Sequence, residues 1–241
     1  MIKKISVIVF VFLCIFTSSV FAASAEECDS GLLNLGVPQQ TLDQMSEQIK
    51  QATYESLMTT EDADHLVFDS YDEEVIAIPS SNTNTRSIGD DYLKFGVSTF
   101  HVSNNFLRTY IRPYYEWTNP QLNPDTAHDS FSFLIDFNRW NILTTPSFTT
   151  ISALGQERYY TNPSKLDFNG ATYPIHSAET FGMGSICARR DSNLGSPDVI
   201  VTYVHNPVNW AYTLSFGPFS IDFASPFNGV DVINKVLKNH D

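Results

Sequence analysis

The sequence predicts a mainly β protein: an antiparallel β-sandwich or jelly roll with an N-terminal helical extension and a short C-terminal helix. Three observations lead there. From Tyr92 onward apolar residues recur with a period of two, proline, glycine and asparagine mark most gaps between the short runs, and no helical segments alternate with them. About 150 residues from position 92 to the end are ample to bury two facing sheets.

Residues 1–25 read as a secretory signal peptide. Lys3 and Lys4 give a positive start, Ile5 to Phe16 an apolar run, and Ala22-Ala23-Ser24-Ala25 a small-residue ending. A cut after Ala22 and a cut after Ala25 fit equally. The run falls short of the roughly 20 apolar residues a bilayer span needs. Phe12 and Leu13 before Cys14 are too large for a lipoprotein site, so no stable membrane anchor is expected and the mature chain should be extracellular. The full chain has 14 basic and 27 acidic side chains, a net of −13. Loss of Lys3 and Lys4 takes this to about −15, a charge that repels phosphate backbones and anionic headgroups and so excludes nucleic acid as a partner.

Residues 26–91 form the extension. Leu42, Met45, Ile49, Ala52 and Leu57 recur at helical spacing, with Pro38 just before them and Thr41 and Gln44 in capping-box positions, which predicts one helix over about 39–58. Glu61 to Glu74, "EDADHLVFDSYDEE", lacks the ligand spacing of a calcium loop and reads as a solvated acidic segment. Ile78 to Asp91, "IPSSNTNTRSIGDD", has linker composition, with Arg86 open to a trypsin-like protease. Either the whole extension stays with the β-domain, or it is a removed pro-segment.

Two cysteines, Cys28 and Cys187, remain after the leader. In an oxidising compartment they admit one intramolecular disulfide, which would close a loop of about 160 residues and disfavour the unfolded chain by up to roughly 5 kcal/mol. Its consequence would be an N-terminus held against the second half of the chain.

In the β-domain, residues 92–241, strands are expected at Tyr92–Val102, Asn105–Trp117, Phe131–Phe137, Phe148–Ala153, Gly184–Arg189, Asp198–His205 and Trp210–Phe216. In "FSFLIDF" Phe131, Phe133, Ile135 and Phe137 share one face. After Gly217-Pro218 the apolar parity shifts to Phe219, Ile221 and Phe223, so the chain must bulge or turn there. Val230, Ile233 and Leu237, with Asn228 as cap, predict the last helix at Val230 to Lys238.

The stretch "RPYYEWTNP" ends the second of these strands. Its odd positions, Leu107, Thr109, Ile111, Tyr115 and Trp117, suit a core. Its even positions, Arg108, Tyr110, Arg112, Tyr114 and Glu116, alternate as a solvent-facing ladder. Pro113 cannot donate to a sheet and marks an edge or a bulge. A bulge would turn Trp117 outward, as a platform for a sugar ring. Tyr110, Arg112, Tyr114, Glu116 and Trp117 are therefore the candidate ligand-binding residues.

Other chemistry is sparse. Gly182-Met183-Gly184-Ser185-Ile186 misses the last glycine of a hydrolase elbow and reads as close backbone packing. The histidines are scattered singly, no metal site or cofactor is expected, and "DSNLGSPD" reads as a polar turn. Glu116, Asp136 and Asp222 are the carboxylates that a glycosidase would need to bring together. The expectation is a secreted non-catalytic binding or structural protein acting on a cell-envelope glycan or an extracellular protein. The alternatives are a secreted hydrolase, and a membrane-active β-toxin in which a hairpin around Ser147–Ser152 inserts.

Overall fold

A computed structural model describes residues 23–77, 92–118, 129–135, 140–163, 165–167, 170–175, 179–190, 199–205, 213–216, 219–222 and 231–237. Residues 1–22, Arg86, Asp136, Trp210 and the stretch "DSNLGSPD" lie outside the described residues.

Three helices open the described part of the chain: α1 (Ala25–Asn34), α2 (Gln39–Leu42) and α3 (Glu47–Met58). Helix α1 starts with a capping box, in which Ser24 Oγ accepts from the Glu27 amide and Glu27 accepts from the Ser24 amide. The single helix expected over 39–58 is two. Ser46 interrupts it, its hydroxyl accepting from the Ile49 amide to cap α3. The apolar period survives the break, because Leu42 and Met45 bury in the same cluster as Ile49 and Leu57. No described helix is long and apolar enough to cross a membrane.

The described strands form antiparallel sheets. The larger has the order β1 (Leu66–Ala77), β2 (Tyr92–Val102), β3 (Asn105–Trp117), β10 (Glu179–Arg190), β6 (Ser147–Ser152), β7 (Glu157–Tyr160), with β5 (Trp140–Ile142) also on β10. The second has the order β14 (Asp231–Leu237), β11 (Val199–His205), β4 (Ser130–Ile135), β9 (Gly170–Pro174), β8 (Lys165–Asp167). A separate hairpin joins β12 (Thr213–Phe216) to β13 (Phe219–Asp222) with Phe216 opposite Phe219, so the chain turns where the parity shifts.

Two elements correct the sequence reading. The C-terminal helix expected at Val230–Lys238 is strand β14, paired with β11 from His205↔Asp231 to Val199↔Leu237. Its β-branched Val232, Ile233 and Val236 suit a pleated sheet, and an open edge of β11 receives them. The acidic stretch is in large part strand β1, whose register on β2 shifts between Phe68 and Ser70. That bulge breaks the period of two, and the carboxylates sit on an edge strand, where charge discourages pairing with other chains.

The two large sheets face each other across an aromatic core. From the first come Phe95, Ile111, Tyr115, Trp117, Phe148 and Ile186; from the second come Phe131, Phe133, Tyr173, Val201 and Tyr203. Each such side chain contributes about 1.5–3 kcal/mol of burial. Gly182 and Gly184 permit the close approach: a Cβ on Gly182 would lie 2.4 Å from Tyr115 and 2.5 Å from Phe148. A second core covers the opposite face of the larger sheet, where Leu32, Leu42, Ile49 and Leu57 of the helices meet Phe100, Tyr110, Tyr114, Phe181 and Met183. The architecture is a β-sandwich with a third, helical layer.

Candidate functional site

Strand β3 lies between β2 and β10, and Pro113 pairs with Val97 in unbroken register. Without a bulge the odd residues face the sandwich core: Tyr115 and Trp117 are buried, and Trp117 Nε1 donates to the Tyr203 hydroxyl at 3.2 Å. Trp117 is therefore no exposed platform. The even residues are a correction to the expected surface ladder, since Tyr110, Arg112, Tyr114 and Glu116 are buried beneath the helices.

Arg112 is the centre of that buried face. Its Nε donates to Ser56 Oγ at 2.8 Å, and its other nitrogens donate to the carbonyls of Ser56, Ile111 and Ile186. Its guanidinium also lies 5.5 Å from the centre of the Tyr110 ring. Among the described residues no carboxylate pairs with it, and burial pulls the guanidinium down to about 10. Toward one end of the strand, Arg108 donates from Nε to Cys187 Sγ and pairs with Asp62 and Glu61, while Tyr110 donates to Asp62. Toward the other end, Tyr71 and Tyr114 both donate to Glu73 Oε2 at 2.7 Å, and Lys94 pairs with Glu73 at 3.2 Å. Ser46 donates to Glu116 at 2.7 Å. Burial first, then the nearby Glu73, pushes the Glu116 carboxyl above its ordinary range, against the pull of Ser46 and Lys94.

The expected disulfide is absent: Cys28 and Cys187 are separate, buried thiols. The N-terminus does lie against the second half of the chain, but packing holds it there, with Leu32 and Cys187 in one apolar cluster. Cys28 has carboxylates for neighbours, and Cys187, although beside Arg108, is buried, so neither has the exposed cationic setting of a nucleophile. Of the proposed carboxylates, Glu116 has Glu73 for a charged neighbour, and Asp222 ends strand β13. Strand β6, suggested for membrane insertion, pairs on both sides and sinks Phe148 into the core.

A second polar cluster, not foreseen from the sequence, occupies the inner face of the larger sheet at one end. His101 Nδ1 and Asp69 Oδ1 are 2.6 Å apart, bringing β2 to the bulge of β1. The register sets His101 beside Thr109 and Thr109 beside Ala188, with Arg190 two residues further along β10. The Arg190 guanidinium lies 5.2 Å from the Trp140 ring centre, and its charge reaches Asp69. Burial raises the Asp69 carboxyl despite His101 and Arg190. Asp69 Oδ2, Thr109 Oγ1 and Arg190 Nε are buried, and none has a hydrogen-bond partner among the described residues.

No family model matches the chain, and no curated protein is similar to it in sequence. Solved structures that resemble parts of it include the following two. The collagen-binding domain from a Staphylococcus aureus adhesin is 11% identical over 54% of this chain and 88% of that one, with a TM-score of 0.28. The enzymatically active domain of bacteriophage CBA120 tailspike protein 4 is 7% identical over 57% of this chain and 18% of that one, with a TM-score of 0.21. At such scores neither likeness bears on topology or ligand.

The unforeseen cluster left little trace in the sequence. Asp69 sat in an acidic run, His101 and Thr109 on strands and Arg190 before a turn; only the pairing of β1, β2, β3 and β10 brings them together.

Proposed function

We propose that the protein is a non-catalytic binding protein acting outside the cytoplasm, and that it takes a hydroxyl-rich ligand, such as a cell-envelope glycan, at the Asp69, His101, Thr109 and Arg190 end of the sandwich. The observation that carries this is the gathering there of three buried polar atoms that lack partners among the described residues. Each such atom costs about 1–3 kcal/mol while it stays unmet. Arg190 Nε is a donor, the free oxygen of Asp69 is an acceptor, and the Thr109 hydroxyl is both. The hydroxyl groups of a sugar supply both the donor that Asp69 lacks and the acceptor that Arg190 lacks. A phosphate would face the Asp69 charge, and an ammonium would face Arg190. Of the β3 residues proposed from sequence, Tyr110, Arg112, Tyr114 and Glu116 are buried beneath the helices and Trp117 in the sandwich core, which supports a structural role for them.

The test is co-sedimentation of the mature chain with peptidoglycan sacculi and a panel of insoluble polysaccharides. The reading predicts retention on at least one, weakened at least about tenfold by Arg190→Met, since a lost hydrogen bond to a charged group is worth about 1.5–3 kcal/mol, and by about two- to tenfold by Thr109→Val, whose neutral bond is worth about 0.5–1.5 kcal/mol. Retention indifferent to both substitutions, with the fold intact, or no retention at all, contradicts it.

A second reading, glycoside cleavage, has one observation in its favour, the raised Glu116 carboxyl with Glu73 close enough to act on it. Release of reducing ends that Glu116→Gln abolishes would establish it. Glu116 is held by Ser46 and Glu73 by Lys94 and two tyrosines, which favours the first reading.

A further inference from the structure

We infer that the exported chain is cut between Ala22 and Ala23, and that the new N-terminal ammonium becomes a structural group paired with Glu55. The inference rests on the export part of the proposed function. Sequence alone offers Ala22 and Ala25 equally as the residue before the cut. The folded chain separates them.

Ala23 and Ser24 are built into the helical layer. The Ala23 nitrogen donates to Glu55 Oε1 at 3.1 Å, reaching α3 across 32 residues, and Glu55 is held in turn by Gln51 Nε2 at 3.0 Å. Ser24 forms both halves of the α1 capping box with Glu27, and its carbonyl accepts the first helical bond, from the Cys28 amide at 2.9 Å. A cut after Ala25 removes all of these groups. It also leaves an ammonium on Glu26 in the first turn, where the helix dipole is itself positive and the charge is repelled.

A cut after Ala22 keeps every contact and strengthens one. Hydrolysis of the Ala22–Ala23 peptide bond by a leader peptidase adds one water, leaving a carboxylate on Ala22 and an ammonium on Ala23. The neutral amide that donates to the Glu55 carboxylate becomes a charged donor, which adds a direct ion-pair attraction to a bond already assisted by the charge of its acceptor. The ammonium then stands one residue before the Ser24 cap, outside the first helical turn. The capping box stays between it and the helix.

The full-length chain, leader included, is expressed in a bacterial host, and the exported product is identified by intact mass and N-terminal sequencing. The expected product begins at Ala23. A product beginning at Glu26 overturns the inference while leaving export intact, and a chain that keeps its leader overturns both. A second measurement reads the ion pair itself. Glu55→Gln should lower the Tm of the chain beginning at Ala23 by about 2–4 °C, and should lower it measurably less when that terminus is acetylated. Equal losses in the two forms would show that the ammonium makes no pair with Glu55.

Discussion

Arg112 of strand β3 donates from Nε to Ser56 Oγ at 2.8 Å and from its terminal nitrogen to the Ser56 carbonyl at 3.3 Å, fastening the centre of a sheet to the last turns of helix α3. The guanidinium is fully buried, and backbone carbonyls take donors that a carboxylate would usually take. Removing it takes the donor from Ser56 Oγ and leaves the volume of a fully buried side chain unfilled, whereas removing Ser56 Oγ strands one donor. Arg112→Ala should therefore cost about 3–5 kcal/mol and Ser56→Ala about 1–2 kcal/mol, measured by urea unfolding. The double variant should lose less than the sum, because both substitutions remove the same bond from Arg112 Nε to Ser56 Oγ.

Glu116 makes a pH-dependent contribution. Its carboxyl is raised in the folded chain, so between the unfolded and folded values the native state binds more protons than the unfolded one. The site's stability is complete below the unfolded value, about 4.3, and is lost as pH rises through the folded value. Glutamine keeps an oxygen to accept from Ser46 and removes the buried charge. Glu116→Gln should melt higher than the parent at pH 7, with the difference shrinking toward zero below about pH 4. A lower Tm at pH 7 would contradict this.

Cys28 and Cys187 contribute as packed thiols. Burial pushes the Cys28 thiol above its ordinary value, and Cys187 is held in an apolar cluster beside Arg108. Reductant should leave the Tm of the mature chain unchanged, and both cysteines should react with a thiol reagent in denaturant far faster than in the native state. A Tm that falls on reduction would show a disulfide.

Gly182 sets the spacing between the sheets. With a Cβ only 2.4 Å from Tyr115 and 2.5 Å from Phe148, Gly182→Ala must displace rigid rings that have no room to move. It should destabilise by about 1–3 kcal/mol in denaturant unfolding. Gly155, at the β6–β7 turn with φ of +73°, has open space where a Cβ would lie, so Gly155→Ala should respond only to backbone strain.

Strands β2 and β3 were legible to their ends, because alternation, turn residues and length agree there. Strand β1 was hidden by the bulge at Asp69 and by its own acidity, and α1 by the small residues of Ala22 to Ala25, which also suit a leader. The alternation of arginine and tyrosine on β3 was visible, but its burial was not. A strand records which residues share a face and not what covers that face. The covering was foreshadowed only by the apolar stripe of α3, which required some partner. The inner-face cluster needed the register of four strands, including a bulged one, and that register is a tertiary fact.

The helical layer is the feature on which the rest depends, since it converts the candidate surface of β3 into a core. Native-state hydrogen exchange on the mature chain tests it most directly. If α3 is locked to β3 through Ser56 and Arg112, amides of Glu47–Met58 should be protected nearly as strongly as those of Asn105–Trp117, and Arg112→Ala should lower the protection of α3. Amides of α3 that exchange at unfolded rates while β3 stays protected would show a helix merely resting on the sheet, and would return Tyr110, Arg112, Tyr114 and Glu116 to the surface.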